Sequence, residues 1–499
     1  MNPTIAATAQ IEYTHPAMRF LHPERDSLLE LALEDVFIVP DYFDGGSRLE
    51  VDLTPDDFPG GSQPIVSANM NAVTGKRMAE TMARYGGLGI LPQDMALDTV
   101  ERIVAHIHDA DVRFDTALTV TKRATIREVQ GIIRKRAHDM VVIVDERHRP
   151  VGIVTATDLR DRDQYTPIER VMSTEMVLLK HDVSNEDAYG TMHGARVKAA
   201  PVVDADGVLV GILGREDAVR YELLRPSTDA EGRLMVGAAI GISRDSQDRA
   251  AALASMGVGC IVVDTAHGHQ KRMMESLVKV KEAVGGRVPI VAGNVCTSAG
   301  TVALIEAGAD IVKINVGPGA MCTTRMQTGV GRPSFSSVLT CARKAHEMGR
   351  QVWADGGVKH PRDAALYLAA GASRVMIGTA LAGTFESPGD MKQDHEGRLY
   401  KENYGMASAR AVSDRTETET PFTRAKKGFF REGISTSRIY LREHFESVGA
   451  IVIDMLAGMQ SACTYVGATD LASFRKRAVI GVQTPHGYGE GTPHGRVRE

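Results

Sequence analysis

The sequence has no run of eighteen or more apolar residues, and its first stretch, MNPTIAATAQIEYTHP, has no basic region followed by an apolar one. Neither a membrane span nor a secretory leader is therefore expected, and the chain reads as cytoplasmic. There is no CxxC pair. The five cysteines, Cys260, Cys296, Cys322, Cys341 and Cys463, are odd in number and widely separated, which excludes a disulfide framework and a cysteine zinc site. Any chemically active cysteine must act alone. Lys and Arg are scattered and the formal net charge is -5, so nucleic acid is excluded as the main partner and a small molecule is expected. What remains is ordinary for a globular protein, with 43% hydrophobic and 24% charged residues among 499. That length exceeds the roughly 250 to 300 residues at which a single core stops growing, so at least two domains are predicted.

Eight short apolar runs that end near Gly, Asp or Asn read as buried parallel strands: 64–70, 87–91, 234–241, 259–268, 288–295, 310–319, 352–357 and 374–383. Segments of helical periodicity separate most of them. Eight such alternations predict an α/β fold, a (β/α)8 TIM barrel, whose reactive groups lie at the C-terminal strand tips. Roughly 120 residues intervene between the second and third strands, far too many for a loop. Within that gap 141–159 is echoed by 200–218, with Asp145 and Asp204, Gly152 and Gly211, and Asp158 and Asp217 in one register. This is a two-unit inserted module. The predicted organisation is therefore 1–110 as the N-terminal part of the catalytic barrel, 111–228 as the insert and 229–499 as the C-terminal part. Segment 392–437 is polar and reads as a mobile flap or a solvated excursion, 437–467 as a closing helix, and the Gly-rich end from 481 as mobile.

The most informative segment is VKINVGPGAMCTTRMQTGVGRPS, 312–334, which follows a strand directly. Gly317 and Gly319 allow a tight turn that places Cys322 at the rim of the barrel mouth. A thiol there, beside Thr323, Thr324 and Arg325, can be deprotonated and attack an electrophilic carbon. The alternative is a buried structural cysteine, common for free Cys. The polar, Gly-rich surroundings favour the nucleophile.

LALEDVFIVP, SANMNAVT, DTAHGH, AGNV, GPGAMCTTRMQTGVGRP, ADGGV, MIGTALAGTFESPG and YGMAS occur in an order that resembles the IMP dehydrogenase/GMP reductase family. The inserted repeat resembles a tandem CBS (Bateman) pair, lying between barrel strands 2 and 3. The resemblance implies that Cys322 attacks C2 of the purine, that Thr324 helps activate the leaving group or water, and that Glu432 partners Thr324 in proton relay. It implies that Asp355 holds the ribose hydroxyls, that Gly357, Gly378 and Thr379 cradle the 5'-phosphate, and that Tyr404, Met406 and Met70 complete the phosphate and base contacts. Asp264 and Asn294 would meet the nicotinamide cofactor. Carbonyls of Gly317, Gly319 and Cys322 would hold a potassium ion. In the insert, Thr155 and Asp158 fit the pattern that binds a nucleotide ribose. In the second unit Gly214 stands where Thr would be, and Asp217 remains. Adenine or guanine nucleotides are the regulatory ligands implied, and a homotetramer, paired to an octamer through the insert, is the assembly implied.

The resemblance leaves the direction to be read from residues. Dehydrogenases carry an Arg-Tyr dyad in the flap, whereas here Arg415 is followed by Thr416. Tyr404 directly before Gly-Met also matches reductases, which act on GMP with NADPH. The CBS-like insert and DTAHG pull towards dehydrogenases, which act on IMP with NAD. The missing dyad touches the chemistry and the insert only regulation, so a GMP reductase is the first expectation, an IMP dehydrogenase the second and a catalytically silent nucleotide sensor the third. Asn71, Asn315 and Ala320 stand where the family usually has Asp, Gly and Ser. Loss of that serine hydroxyl costs a phosphate contact on the order of 1 kcal/mol.

Overall fold

The computed structural model describes residues 19–20, 29–58, 60–404, 420–422, 426 and 436–493. Ile65–Ser67, Leu88–Leu91, Gly237–Ile240, Ile261–Asp264, Ile290–Val295, Ile311–Ile314, Gln351–Asp355 and Arg374–Ile377 form a closed, all-parallel barrel in chain order. The last strand pairs with the first, Val375 opposite Ile65, and the third with the second, Gly237 opposite Ile90. Alternate residues point inward, so Val66, Ile90, Val262, Val291, Trp353 and Met376 fill the barrel as one apolar cluster. The opposite faces pack under the surrounding helices. At the N-terminal end, Arg374 is buried against Asp57 at 2.8 Å, and Trp353 Nε1 donates to the same carboxylate at 2.7 Å. These contacts tie Asp57 across the N-terminal end of the barrel.

The eight strands match the eight apolar runs. Helix Val448–Tyr465 passes the length and composition test for a membrane span. It is a core helix of this barrel, with Val448, Ile451, Val452, Met455 and Met459 buried. Gly458 lets it come so close to helix Pro361–Ala369 that an added Cβ would lie 2.2 Å from Pro361 Cβ.

Between the second and third strands, two small sheets repeat one topology. Leu118–Val120 runs parallel to Met140–Val144, which pairs antiparallel with Pro150–Thr155. Leu179–Lys180, Ala199–Val203 and Leu209–Gly214 do the same. The shared register has a physical basis: Asp145 Oδ1 accepts from Arg147 N and Arg149 N, and Asp204 Oδ1 accepts from Asp206 N and Val208 N, all at 2.9 Å. Each aspartate closes its own hairpin turn. Met140, Val142 and Val144 of one unit pack on Ala199, Leu209 and Ile212 of the other, which joins the pair.

The insert is tied to the barrel by buried charge. Glu80 and Arg84 lie on helix Lys76–Arg84; Glu80 is held by Arg84 Nη1 and Arg136 Nη2, each at 2.5 Å, and Arg136 also reaches Asp115 at 2.6 Å. Burial would raise the Glu80 carboxyl, but the two guanidiniums outweigh it and hold it well below the usual range. Tyr85 donates to Asp217 at 3.2 Å, and Arg220 stacks 4.8 Å from the Tyr85 ring while donating to Asp217.

Two expectations are corrected. Segment 392–437 is not a loop throughout: Lys392–Gln393, Leu399–Tyr404 and Thr436–Tyr440 form an antiparallel sheet. Its cross-strand contacts are Arg on Tyr and Tyr on Tyr, with Arg438 4.9 Å from the Tyr400 ring and the Tyr400 and Tyr440 rings 5.7 Å apart, so a polar sequence still pairs. The expected closing helix therefore begins only at Val448. The described part of the Gly-rich end is structured too: Val479–Val482 is the central strand between Arg19–Phe20 and Val36–Val39, and helix Pro485–Glu490 follows. Gly481 is small because the Phe37 ring lies over it.

Candidate active site

The C-terminal tips of the strands surround a cavity of about 280 Å³. After the sixth strand the chain turns through Asn315, φ 105°, and Gly317, φ 93°. A Cβ on Gly317 would lie 2.3 Å from Arg325 Cγ, so both conformation and space require glycine there. This turn brings Cys322 to the cavity wall, its amide donating to Gly319 O at 2.9 Å. The Cys322 thiol donates to Thr324 Oγ1 at 3.3 Å. Cys322 is exposed, whereas Cys260, Cys341 and Cys463 are buried and burial pushes their thiols up to about 12. Burial also raises half-buried Cys296. The structural reading thus fits those cysteines and leaves Cys322 as the accessible thiol.

Met70, Asn294, Gly317, Gly319, Thr324, Asp355, Gly357, Gly378 and Thr379 all line the same cavity. Met70 follows the first strand and its sulfur lies against Gly378, which follows the eighth; an added Cβ there would be 3.3 Å away. Gly356 and Gly357, both at φ 81°, carry the chain away from Asp355 at the tip of the seventh strand. Tyr404 ends the strand Leu399–Tyr404. Met406, Arg415, Thr416 and Glu432 lie outside the described residues. Thr155 and Asp158 are together, with Thr155 Oγ1 donating to Asp158 Oδ2 at 2.8 Å, but on the insert. Asp217 is engaged by Tyr85 and Arg220 at the junction with the barrel.

The residue that organises the mouth escaped the sequence reading. Lys313, 2% exposed, reaches Asp355 Oδ2 at 2.5 Å and Asp264 Oδ1 at 3.1 Å. Burial works against its charge, but the carboxylates of Asp264 and Asp355 outweigh burial and hold it above the usual lysine range. Asn69 donates to Asp264 at 2.8 Å, and Asn294 Nδ2 donates to Asp355 at 2.9 Å and to Asn315 O at 2.8 Å. Asn315 donates to Asp355 O at 3.2 Å, and Tyr367 donates to Gly356 O at 2.9 Å. Asn315 thus keeps a positive φ while its amide ties down the Asp355 backbone. Asn71 donates to Asp94 at 3.4 Å, linking the first two strand tips. The available signal for Lys313 was a lysine inside an apolar parallel strand, IVKIN, where a charge needs buried partners.

Two carboxylates are therefore fixed in place and each is partly exposed, Asp355 on the cavity wall and Asp264 beside it through Lys313, as ribose hydroxyls require of an acceptor. Asn294 Oδ1 and Asn315 Oδ1 are buried without a partner among the described residues, which leaves acceptors for a ligand's donors. The thiol, the hydroxyl beside it and the anchored carboxylates suit covalent attack on a nucleoside held across the mouth.

The comparisons agree with this geometry. The IMP dehydrogenase / GMP reductase domain model matches residues 30–494. The chain is 46% identical over 478 residues to a GMP reductase of Mycobacterium tuberculosis (strain H37Rv), covering 95% of this chain and 99% of that one. It is 35% identical over 472 residues to an inosine-5'-monophosphate dehydrogenase of Aquifex aeolicus, covering 93% and 95%. Among solved structures, a GMP reductase variant from Trypanosoma brucei in complex with guanosine 5'-monophosphate aligns at TM-score 0.67 and 31% identity, covering 94% and 98%. The same enzyme in complex with guanosine 5'-triphosphate aligns at TM-score 0.56 and 29% identity, covering 91% and 98%.

Proposed function

The chain belongs to the IMP dehydrogenase/GMP reductase family, and from that premise we propose that it is a GMP reductase, converting GMP and NADPH to IMP, ammonia and NADP. The observation that carries the reading is the accessible Cys322 thiol on the wall of the nucleotide-sized mouth, hydrogen-bonded to Thr324 at 3.3 Å. The greater identity to a GMP reductase, 46% against 35%, supports the reductive direction.

In this mechanism Asp355 accepts from the ribose hydroxyls while Gly357, Gly378 and Thr379 face the 5'-phosphate and Met70 and Met406 the base. Cys322 loses its proton towards Thr324, and the thiolate adds to C2 of the purine. The amino group leaves as ammonia, taking up the proton that Thr324 and Glu432 relay, and a C2 thioimidate results. The nicotinamide cofactor, when bound, supplies the hydride to C2. The C2–S bond then breaks, returning the thiolate and releasing IMP. Asp264 and Asn294 would hold the cofactor, a role that suits an aspartate already oriented by Asn69 and Lys313. Potassium would take the carbonyls of Gly317, Gly319 and Cys322; Gly319 O already accepts one amide and keeps a second lone pair.

Residues 111–228 would act as the CBS module, binding adenine or guanine nucleotides at Thr155 and Asp158, and the assembly would be a tetramer that pairs to an octamer. Asp217 is better explained as an anchor to the barrel. A cytoplasmic location suits these soluble substrates.

Absorbance at 340 nm tests the direction, with GMP plus NADPH and IMP plus NAD measured in parallel in potassium buffer. Loss of absorbance with GMP is expected. A gain with IMP and none lost with GMP would replace the reading with an IMP dehydrogenase. Cys322→Ala should lower turnover by on the order of 10³-fold or more while GMP binding persists. Undiminished turnover would remove the covalent mechanism.

A further inference from the structure

The strand Thr436–Tyr440 touches two parts of the barrel mouth that the proposed chemistry uses separately. Side chains alternate across a strand, so Ser437 and Ile439 share one face while Arg438 and Tyr440 share the other. The second face is occupied within its own sheet, where Arg438 lies over the Tyr400 ring and the Tyr400 and Tyr440 rings meet. The first face is turned to the barrel. Ile439 packs on Gly383, which ends the short helix Thr379–Ala382; a Cβ added there would lie 2.8 Å from Ile439 Cγ2. Two residues away, Ser437 Oγ donates to Met321 Sδ at 3.2 Å. Opposite Ile439 in the ladder stands Lys401, buried and donating to the Phe385 and Ser387 carbonyls at 3.1 and 2.7 Å. The strand is thus fastened to the segment that follows the eighth barrel strand, and from that base it reaches the residue immediately before Cys322.

The catalytic turn has little else to fix it by packing. Ala320, Cys322 and every residue from Arg325 to Val330 are exposed, and the hydrogen bond from Cys322 N to Gly319 O ties the turn to itself. Met321 lines the cavity, so its side chain joins the wall that the substrate meets to a strand outside the turn. A thioether sulfur is a weak acceptor, and the bond adds little to global stability. Its leverage is geometric. Attack on a purine carbon requires a thiol held at near-contact distance, and a displacement of about 1 Å costs on the order of a hundredfold in rate. The same strand holds Gly383, at the end of the helix that begins with Gly378 and Thr379, the residues assigned above to the 5'-phosphate.

We propose that Ser437 is a positioning residue for the reaction, holding Met321 so that the Cys322 thiol stands at a fixed distance from the phosphate end of the cavity. The inference rests on Cys322 as the nucleophile and applies to either direction of the reaction. Ser437 acts through Met321 and not on the reacting atoms.

Steady-state kinetics of the full-length protein test it, together with the rate at which iodoacetamide alkylates Cys322 without substrate, followed by mass spectrometry of the Cys322 peptide. Ser437→Ala removes the donor and Met321→Leu the acceptor at nearly constant volume, whereas Ser437→Thr keeps a hydroxyl on a residue that suits a strand. Ser437→Ala should lower kcat about three- to tenfold with the nucleotide KM held within about twofold, the loss of one hydrogen bond felt at the chemical step. The alkylation rate should change by at least about twofold, and Ser437→Thr should restore both readings. Because both substitutions break one bond, S437A/M321L should be no slower than the worse single variant. Multiplied losses in the double variant would overturn the proposal. So would a wild-type alkylation rate in Ser437→Ala, or a rise in KM with kcat intact. Circular dichroism identifies a misfolded variant; were Ser437→Ala misfolded, Met321→Leu decides by the same two readings. Alkylation reports on the thiol without turnover, so failure of this proposal is distinct from failure of the covalent mechanism, which Cys322→Ala reads.

Discussion

Lys313 places one ammonium between two carboxylates that the proposed mechanism assigns to different ligands, Asp355 to the substrate ribose and Asp264 to the cofactor. Removing it leaves two like charges facing each other in a buried mouth. Lys313→Met should cost about 3 to 5 kcal/mol of stability, the usual penalty for stranding a buried charge. It should also lower kcat/KM on the order of a hundredfold by displacing both anchors, with KM rising for nucleotide and cofactor together. Steady-state kinetics with each substrate varied in turn checks this; a change confined to one KM would show that the two anchors are independent. At this scale the sequence was legible where a residue sits at a strand tip in a distinctive run, as Cys322, Asp355 and Gly378 do. It was opaque for Lys313 and Asn69, whose significance is a partner 42 to 195 residues away in the chain. Asn315 looked like a departure; its φ and its hydrogen bonds show how an asparagine fills a position that suits glycine.

Elements were read best where one periodicity dominates. The eight barrel strands are buried on both faces and stand out as apolar runs, and the insert betrayed itself by repeated turn aspartates. The strands at 399–404 and 436–440 were invisible because arginine and tyrosine, rather than apolar residues, form their cross-strand contacts. The joint between helix Lys76–Arg84 and the insert was equally hidden, since Glu80, Asp115 and Arg136 belong to three separate segments. Its strength is open to measurement. Glu80→Gln should destabilise the protein by about 3 to 5 kcal/mol, because Arg84 and Arg136 lose a buried counter-charge. Asp158→Asn, on the exposed face of the insert, should cost about 1 kcal/mol or less. Urea unfolding distinguishes them, and a Glu80→Gln cost as small as that of Asp158→Asn would mean that the network is well hydrated in solution.

Across the whole molecule, the dependence of stability on pH is set partly by two buried groups where the flap strands meet the barrel. Burial raises the Glu386 carboxyl to about 7, and burial with Arg77 lowers Lys401 to about 7. Between pH 4.5 and 7 the folded chain keeps a proton on Glu386 that the unfolded chain has lost, so this group's contribution falls as pH rises, by on the order of 3 kcal/mol. Between about 7 and 10.5 the unfolded chain holds the extra proton on Lys401, so stability recovers. Glu386→Gln should flatten the acid limb, and by removing a carboxylate that favours the Lys401 charge it should extend the alkaline one; parallel urea midpoints for wild type and variant from pH 4.5 to 7 would contradict the assignment. The pairing of Val479–Val482 with both Arg19–Phe20 and Val36–Val39 carries a different consequence, one of timing. During synthesis Arg19–Phe20 and Val36–Val39 have no partner until Val479–Val482 has left the ribosome, and the first barrel strand, which can pair early with the second, waits for the eighth on its other edge. The repeat units, complete within their own stretch of sequence, can fold while the barrel around them is still an open sheet. A nascent chain therefore presents a finished module on an unfinished scaffold, and its exposed apolar strands are a hazard that lasts until Arg374–Ile377 closes the barrel.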